Sequence, residues 1–343
     1  MQNKPKIYIP AVATSKRDLS FSLEFLQPFR EQGEDIGLML IAPDGMEMFS
    51  AENIKIQYEN IRSLLNHGEI LNFIVMAPSI PEEINFLQKS GQSKKNIQKV
   101  IDFASSLPGI KNKPIVTFHL NTLFTPAEWE KLGATPQEKS VACEKLMKEI
   151  ILPSLAELSE YAKSSGVLLK VETTPVPEFG DRNDSRLASL GNPFPLYSGR
   201  GFKEVRSAGI GIALDLCHTF TLFSILPEFE KNEAAAFNIY KGLFPEDLEK
   251  LGKGSLESEL LALEDGDVVH LNDSIGYYDP ARKLTHQEGV SLGKGEIGNL
   301  PSLIRNMSGR DLNIVFEINE VDYSTRPNLK NSLAYWWKYA YQR

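Results

Sequence analysis

The sequence predicts an α/β fold, a single (β/α)8 barrel with an extended loop after the fifth strand. Two observations carry this prediction: short apolar runs recur eight times along the 343 residues, and segments with helical periodicity separate most of them. A chain of this length fits either two ordinary domains or one TIM barrel with insertions. Because no internal repeat, low-complexity tract or linker divides the chain, one domain over residues 1–343 is expected.

The predicted strands are rich in Val, Ile, Leu and Phe, which is typical of a parallel sheet buried on both faces. Each of them is short. The strands are Ile7–Val12, Ile36–Ile41, Leu71–Met76, Pro114–Leu120, Val167–Thr173, Ile210–Leu216, Asp267–Asn272 and Asn313–Ile318.

Helical periodicity marks the segments between the strands. The longest predicted helix, KSVACEKLMKEIILPSLAELSEYAKSSG, reaches Gly166, a residue type that often ends a helix before a strand. The other candidates are SFSLEFLQPFREQG, AENIKIQYENIRSLLNHG, KKNIQKVIDFASSL, EAAAFNIYKGLF, PEDLEKLG, NLPSLIRNM and the closing LKNSLAYWWKYAYQ.

Two loops stand out. The segment PVPEFGDRNDSRLASLGNPFPLYSGRG directly follows the fifth strand, and a loop of this length is uncommon unless it is functional or disordered. We interpret it either as a lid or specificity loop or as a surface insertion. The later HQEGVSLGKGEIG contains GKG without the strand and helix of a P-loop, so a tight turn before the next helix is favoured over nucleotide binding.

Composition limits the partners and the compartment. The formal net charge of -8 and the pI of about 5.4 disfavour a nucleic-acid partner. No apolar stretch approaches the length of a signal segment or a membrane span. With only Cys143 and Cys217, neither a disulfide framework nor a zinc-finger spacing exists. A cytoplasmic protein is expected.

Four ionisable residues end four of the predicted strands: Glu172, Asp215, His270 and Glu317. A buried carboxylate without a partner is costly, and the carboxyl ends of barrel strands meet at one rim. The pattern therefore predicts a shared divalent cation. A set of three carboxylates and one imidazole suits manganese or magnesium, with cobalt or zinc as alternatives.

Other polar residues accompany this set. His218 in DLCH is a candidate ligand or substrate contact, or a supporting histidine, and His119 in VTFHLN is a candidate substrate contact or a core histidine. Lys170 shares strand parity with the fifth-strand glutamate and is expected to pair with a ligand carboxylate. Asp273 is expected to accept hydrogen bonds that orient local groups. Arg282 is a candidate substrate contact or a solvated loop charge.

The motifs FHLN, VETTP, LDLCHTF, HLNDS, SLGKGEIG and FEINE, in that order, resemble the xylose isomerase-like barrel superfamily. This superfamily includes endonuclease IV, hydroxypyruvate isomerase and the ketose 3-epimerases. The resemblance extends from about the third strand to the end of the chain. It implies that one divalent metal is bound by Glu172, Asp215, His270 and Glu317.

Positions at which this sequence departs from the superfamily motifs indicate which members of the superfamily it resembles most. The resemblance to endonuclease IV calls for a histidine at the end of the third strand and an Asp-x-His before the glycine run. Here those places read Val75-Met76-Ala77-Pro78 and Gln287-Glu288-Gly289, and a displaced His286 does not rebuild two metal positions. The one-metal site of the isomerases and epimerases is therefore favoured over a nuclease.

The resemblance then implies a sugar isomerase or epimerase that forms an enediolate. Glu172 and Glu317 are expected to remove and return the carbon-bound proton, while the metal holds the sugar carbonyl and hydroxyl. Alternatives are a dehydratase of the same superfamily, a DNA repair nuclease and a non-catalytic carbohydrate-binding barrel. The expected partner is a small carbohydrate, and the aromatic closing helix is a candidate contact in a homo-oligomer.

Overall fold

The computed structural model of the chain describes residues 4–65, 71–80, 82–88, 91–122, 124–175, 194–276 and 287–341. At its centre eight parallel strands close into a barrel, in the order β1-β10-β7-β6-β5-β4-β3-β2. The predicted barrel is confirmed, whereas one domain over residues 1–343 stays a prediction. Within the described ranges, none of the helices has the length and apolar character that a bilayer crossing requires.

The observed barrel strands overlap all eight predicted ones, and their ends differ by no more than two residues. They are β1 (Lys6–Ala11), β2 (Asp35–Leu40), β3 (Asn72–Met76), β4 (Ile115–His119), β5 (Leu168–Glu172), β6 (Gly211–Asp215), β7 (Val268–Leu271) and β10 (Asn313–Phe316). Between β7 and β10 in the sequence, β8 (Asp273–Ile275) and β9 (Gln287–Val290) form a separate two-stranded antiparallel sheet.

Helices surround the barrel. They are α1 (Lys16–Glu31), α2 (Ala51–Leu65), α3 (Gln92–Ser105), α4 (Pro126–Lys131), α5 (Pro136–Leu146), α6 (Leu152–Ser164), α7 (Phe202–Ser207), α8 (Leu216–Ser224), α9 (Leu226–Ile239), α10 (Pro245–Leu251), α11 (Leu256–Leu261), α12 (Leu300–Met307) and α13 (Pro327–Ala340). A short 3-10 helix at Gly45–Phe49 precedes α2.

The longest predicted helix is interrupted. One turn of π-helix at Met147–Ile151 separates α5 from α6, and Pro153 lies in the first turn of α6. Proline has no N–H to donate to the preceding turn, so a regular α-helix cannot run through this position unchanged. The extra residue of the π turn accommodates the break. The apolar periodicity therefore predicted that the segment is helical but not that one turn of π-helix interrupts it.

Side chains fill the interior of the barrel beneath its carboxyl-terminal rim. This inner layer consists of Tyr8, Met39, Ile74, Ile115, Ala213, Val268 and Val315. The Tyr8 hydroxyl donates to Asn313 Oδ1 over 3.0 Å. A Cβ at Gly37 would lie 2.4 Å from the Tyr8 ring, so only glycine leaves room for this tyrosine. The packed interior closes the barrel from below and leaves the rim as the place for chemistry.

A buried carboxylate ties three strands together at the other end of the barrel. Asp267, directly before β7, accepts from Lys170 Nζ over 2.9 Å and from Arg206 Nη2 over 2.6 Å. The backbone N–H groups of Ile212 and Glu264 also donate to it, over 3.0 and 2.9 Å. The prediction that Lys170 pairs with a ligand carboxylate is therefore wrong, because its ammonium group serves this network instead.

Replacing Asp267 by asparagine is expected to lower the free energy of unfolding by about 2 kcal/mol at pH 7, because an amide cannot balance Lys170 and Arg206. Burial raises the pKa of Asp267, but these two cations outweigh burial and hold that pKa below its usual value. A carboxyl group whose pKa is lower in the folded state than in the unfolded chain stabilises the folded state at any pH above its unfolded pKa, which is about 3.9 for Asp. This contribution is lost as the pH falls through the folded pKa.

Urea unfolding of the parent and Asp267→Asn should therefore differ fully at pH 7 and progressively less below about pH 4. The exposed Asp265, replaced by asparagine in the same way, serves as the matched control and should cost little. An equal loss of stability at pH 3 and pH 7 would show that the carboxylate charge of Asp267 is not the stabilising element.

Candidate metal centre

Four neighbouring barrel strands bring the predicted ligands to one place on the rim. Glu172 ends β5, Asp215 ends β6, His270 lies in β7 and Glu317 directly follows β10. Each residue offers one ligand atom, and these four atoms all lie within 4.8 Å of one another. The register supports this, because Asp215 and His270 are direct partners across β6 and β7. Strand order and register together assemble the cluster that the sequence pattern predicted.

The imidazole of His270 lies at the centre of the cluster. Its Nδ1 atom is 2.6 Å from Glu317 Oε2, 3.2 Å from Glu172 Oε1 and 4.0 Å from Asp215 Oδ2. His270 is fully buried, and Glu172 and Asp215 are nearly so, whereas Glu317 keeps 35% of its side chain exposed. The cluster is therefore open to solvent on the Glu317 side.

Several polar atoms of the cluster lack hydrogen-bond partners among the described residues. They are Glu172 Oε2, Glu317 Oε2 and both ring nitrogens of His270, all buried. His270 Nδ1 lies close to two carboxylates, but these contacts lack the geometry of a hydrogen bond. Buried polar atoms are nearly always satisfied in folded proteins, so convergent unsatisfied acceptors indicate a bound group. Three carboxylates and one imidazole nitrogen form a donor set rich in oxygen, which fits manganese or magnesium. The residues present therefore fit a divalent cation.

Burial and neighbouring charges shift the pKa values of the cluster residues in different directions. Burial raises the pKa of Glu172, but His119 and His270 outweigh burial and hold it well below the usual range. Burial also raises the pKa of Asp215, and here the opposing charge of His218 does not compensate. Burial lowers the pKa of His270, whereas the carboxylates beside it raise that pKa well above normal. The negative charge of this site therefore depends on positive partners.

Neighbouring groups fix the orientation of Asp215. Its Oδ1 accepts from the backbone N–H of His218 over 2.8 Å and so caps the first turn of α8. Its Oδ2 accepts from Asn272 Nδ2 over 2.9 Å, and its own backbone N–H donates to Thr173 Oγ1. Thr173 and Asn272 were not singled out as site residues in the sequence, although both lie within the quoted motifs VETTP and HLNDS.

The ring of His218 is held at both nitrogens. Nδ1 lies 2.7 Å from the Thr173 carbonyl oxygen, which can only accept, so Nδ1 carries a proton. Nε2 lies 2.9 Å from Glu288 Oε2 on β9. Burial lowers the pKa of His218, but the charge of Asp215 and the hydrogen bond to Glu288 raise it to about 10. A substrate that contacts Nε2 has to replace Glu288.

His119, at the end of β4, also borders the cluster. Its Nε2 is 3.0 Å from Glu172 Oε1, and its ring centroid is 5.6 Å from that of His218. His119, Glu172 and His218 form a second group whose ligand atoms lie within 4.8 Å of one another. Because His218 Nδ1 donates to a backbone carbonyl, we interpret this group as electrostatic support of the Glu172 carboxylate by two imidazoles.

The carboxylate of Asp273 organises the glycine-rich loop after β9. Its Oδ2 accepts from the N–H groups of Gly293 and Gly295, each over 2.9 Å, and its Oδ1 accepts from Ser274 and Ile297. The expected role of Asp273 as an acceptor for local backbone is present. Since these N–H groups already bind a carboxylate, they are not available to a phosphate.

Three features singled out in the sequence belong to segments beyond the described ranges. Arg282 and His286 lie outside the described residues, as do residues 176–193 of the loop after β5. The sequence reasoning also did not foresee β9, which carries Glu288 and is tied to the loop after β10 by Asn319. A four-residue strand without apolar alternation gives little signal for prediction.

Comparison with known proteins adds to this geometry. No protein-family model matches the chain, and no curated protein matches it. Among solved structures, a xylose isomerase domain protein from Planctomyces limnophilus is 13% identical, with a TM-score of 0.51, and the match covers 98% of this chain and 96% of that chain. The chain has the fold of the xylose isomerase-like barrels.

Two further matches have similar extents. A structure named AsfvAP:AG is 12% identical to this chain with a TM-score of 0.50, and the match covers 100% of both chains. A D-tagatose 3-epimerase-like protein is 19% identical with a TM-score of 0.46, and the match covers 96% of this chain and 98% of that chain. At these identities the likeness concerns the xylose isomerase-like fold, so the activity has to be argued from the site.

Proposed function

We propose that the chain is a divalent-metal-dependent isomerase or epimerase of small sugars. The observation that carries this proposal is the rim cluster of Glu172, Asp215, His270 and Glu317, with its convergent buried atoms that lack hydrogen bonds. A cation held there supplies a Lewis acid that makes a carbon-bound proton next to a carbonyl acidic enough to remove. The proposed stoichiometry is one manganese or magnesium ion per chain.

Glu172 and Glu317 are the proposed acid–base pair. The lowered pKa of Glu172 keeps it ionised at neutral pH but also makes it a weaker base, so removal of the proton would depend on polarisation of the neighbouring carbonyl by the cation. Glu317 approaches the same imidazole from β10, on the solvent-facing side of the cluster. An epimerisation needs one group to remove the proton and another to return it. Two glutamates on separate strands can divide these tasks.

The surrounding histidines are proposed to contact the oxygens of the substrate. His119 and His218 border the cluster from β4 and α8. For His218, a substrate oxygen would take the position of Glu288 at Nε2, which the half-exposed side chain of Glu288 permits. These contacts orient a substrate and leave the transfer of the proton to the glutamates.

A nuclease with several metal ions is less well supported. β3 ends at Met76 and is followed by Ala77, so no histidine stands there, and Glu288 on β9 is paired with His218. The net charge of -8 also opposes the approach of a phosphate backbone. The cluster therefore supports small-molecule chemistry better than cleavage of nucleic acid.

Deuterium exchange tests the proposed activity. The parent protein, loaded with manganese or magnesium, is incubated in D2O with a panel of aldoses and D-ketohexoses, and a chelator-treated sample serves as the control. We expect deuterium at the carbon next to the carbonyl in the recovered sugar. Loss of water from the substrate would instead indicate a dehydratase, cleavage of an abasic duplex a nuclease, and binding without exchange a carbohydrate-binding barrel.

A further inference from the structure

Glu317 differs from the other three residues of the rim cluster in how its backbone is held. β10 pairs with β1 as far as Val315 and with β7 as far as Phe316, so Glu317 is the first residue beyond the ladder on both sides. Its own N–H group donates back to the Val315 carbonyl oxygen over 3.1 Å. The other three cluster residues are each paired with a residue of at least one neighbouring strand. The position of Glu317 therefore depends on contacts made further along the chain.

Within the described ranges, the next hydrogen bonds of this backbone are made by Asn319, two residues after Glu317. Its N–H group donates to the Gly289 carbonyl oxygen over 2.7 Å, and its Nδ2 atom donates to the Glu288 carbonyl oxygen over 2.9 Å. Both acceptors belong to β9. In addition, Nδ2 of Asn328, at the start of α13, donates to the Asn319 carbonyl oxygen over 2.8 Å. The chain beyond Glu317 is therefore fastened at Asn319 to both β9 and α13.

Gly289 permits the close approach of Asn319 to the hairpin. Its φ of +66° lies in the left-handed region, and a Cβ there would lie 2.6 Å from Asn319 Nδ2 and 2.9 Å from the Asn319 backbone nitrogen. A side chain at this position would therefore push Asn319 away. Gly276, directly after β8 in the same hairpin, has a φ of +67°, and its Cβ would meet no heavy atom of the described residues within 4 Å. These two glycines separate backbone strain from the contact with Asn319.

Strand β9 also contacts the helix that follows β6. Glu288, whose carbonyl oxygen accepts from Asn319, places its carboxylate 2.9 Å from His218 Nε2. His218 lies in the first turn of α8, which Asp215 caps through the His218 N–H group. The hairpin therefore links the loop after β10 to the helix that begins directly after Asp215. Through this link, the backbone that carries Glu317 is held relative to a second member of the cluster.

We propose that Asn319 is a positioning residue, which holds the Glu317 carboxylate at the metal centre by fastening the chain beyond β10 to β9. The proposal rests on the proposed function, because it takes Glu317 as one of the four ligands. Glu317 Oε2 lies 2.6 Å from His270 Nδ1, so a displaced backbone would carry this oxygen away from the other ligand atoms. Magnesium demands near-ideal ligand geometry, and loss of a group that orients a ligand typically costs about tenfold or more in metal affinity.

Titration calorimetry with manganese tests this role apart from catalysis. We expect Asn319→Ala to weaken manganese binding about tenfold. Asn53→Ala is the matched control, because Asn53 Nδ2 on α2 also donates to a backbone carbonyl oxygen, that of Glu47, over 2.9 Å. This control should bind manganese as the parent does. Since Asn319 is exposed, Asn319→Ala should leave the urea midpoint in chelator close to that of the parent, whereas a merely structural role would lower the midpoint and spare the affinity.

The two glycines of the hairpin supply a second comparison. Gly289→Ala and Gly276→Ala both place a Cβ at a positive φ, so both should lower the urea midpoint in chelator. Only Gly289→Ala collides with Asn319, and only it should weaken manganese binding. Unchanged affinity in Asn319→Ala and Gly289→Ala, or an equal loss in Gly276→Ala, would overturn the positioning role and leave the proposed function standing. A parent that binds manganese without deuterium exchange into any sugar would refute the proposed activity and retain the positioning role, and a parent that binds no manganese would overturn both.

Discussion

Glu172→Gln and Glu317→Gln are each expected to lose turnover by on the order of a hundredfold or more, because an amide cannot accept a proton at neutral pH. Both changes preserve the size of the side chain and leave an oxygen that can face a cation. The effect should therefore appear in kcat, while a ketose or its analogue still binds. Since Glu172 is nearly fully buried between two histidines, it should show the larger loss.

The measurement is the rate of deuterium exchange into ketoses, with the metal content of each sample determined in parallel. Glu259→Gln is the matched control, because Glu259 is equally buried but binds only Ser198 in the described part of the chain, away from the rim. Its exchange rate should equal that of the parent. If the two rim variants exchanged as fast as this control, both glutamates would be ligands only, and a hydrolytic or binding role would become the better hypothesis.

Asp215→Asn and His270→Ala are expected to abolish tight cation binding and the stability that it brings. Ligand binding to the folded state alone stabilises it by about 2.7 kcal/mol when the ligand is present at about a hundred times its dissociation constant. The parent should therefore melt at a higher temperature in excess manganese than in chelator. The variants should melt at the same temperature in both, because their ligand set is incomplete.

Native mass spectrometry supplies the second readout of this prediction. We expect one cation per parent chain, none in the two variants, and one in Glu288→Gln, which changes a neighbour of His218 but none of the four proposed ligands. Full occupancy in Asp215→Asn and His270→Ala would refute the assigned ligands. Three zinc ions in the parent would contradict the one-ion site and favour the nuclease.

The sequence predicted the structure well where buried residues follow one another in a continuous apolar run. Buried parallel strands leave continuous apolar runs, so all eight barrel strands could be located, and an ionisable residue at such a terminus has few inexpensive explanations. The clustering of Glu172, Asp215, His270 and Glu317 could therefore be predicted, whereas their role as metal ligands stays a proposal. The distances within the cluster could not be predicted, because they depend on strand register and on side-chain rotamers.

Lys170 illustrates why the rest was not predictable. Strand parity predicts which face a residue occupies, but not which layer along the barrel its side chain reaches. Two residues of a strand span about 6.6 Å, so Lys170 starts well below Glu172 and meets Asp267 near the opposite end. Glu288 was missed for a different reason, since its contact with His218 depends on a hairpin that bends back over the rim.

The position of Glu317 ties the proposed site to the way the chain closes on itself. Its strand, β10, is the last to be synthesised, and it completes the cylinder by pairing with β7 on one side and with the first strand, β1, on the other. Under the proposed ligand set, three donors belong to earlier strands and the fourth arrives only with this closure. The time at which a cation is taken up during refolding would then report when the final strand docks. Before β10 pairs with β7 and β1, the chain has only three of the four proposed ligands in place and cannot hold the ion tightly.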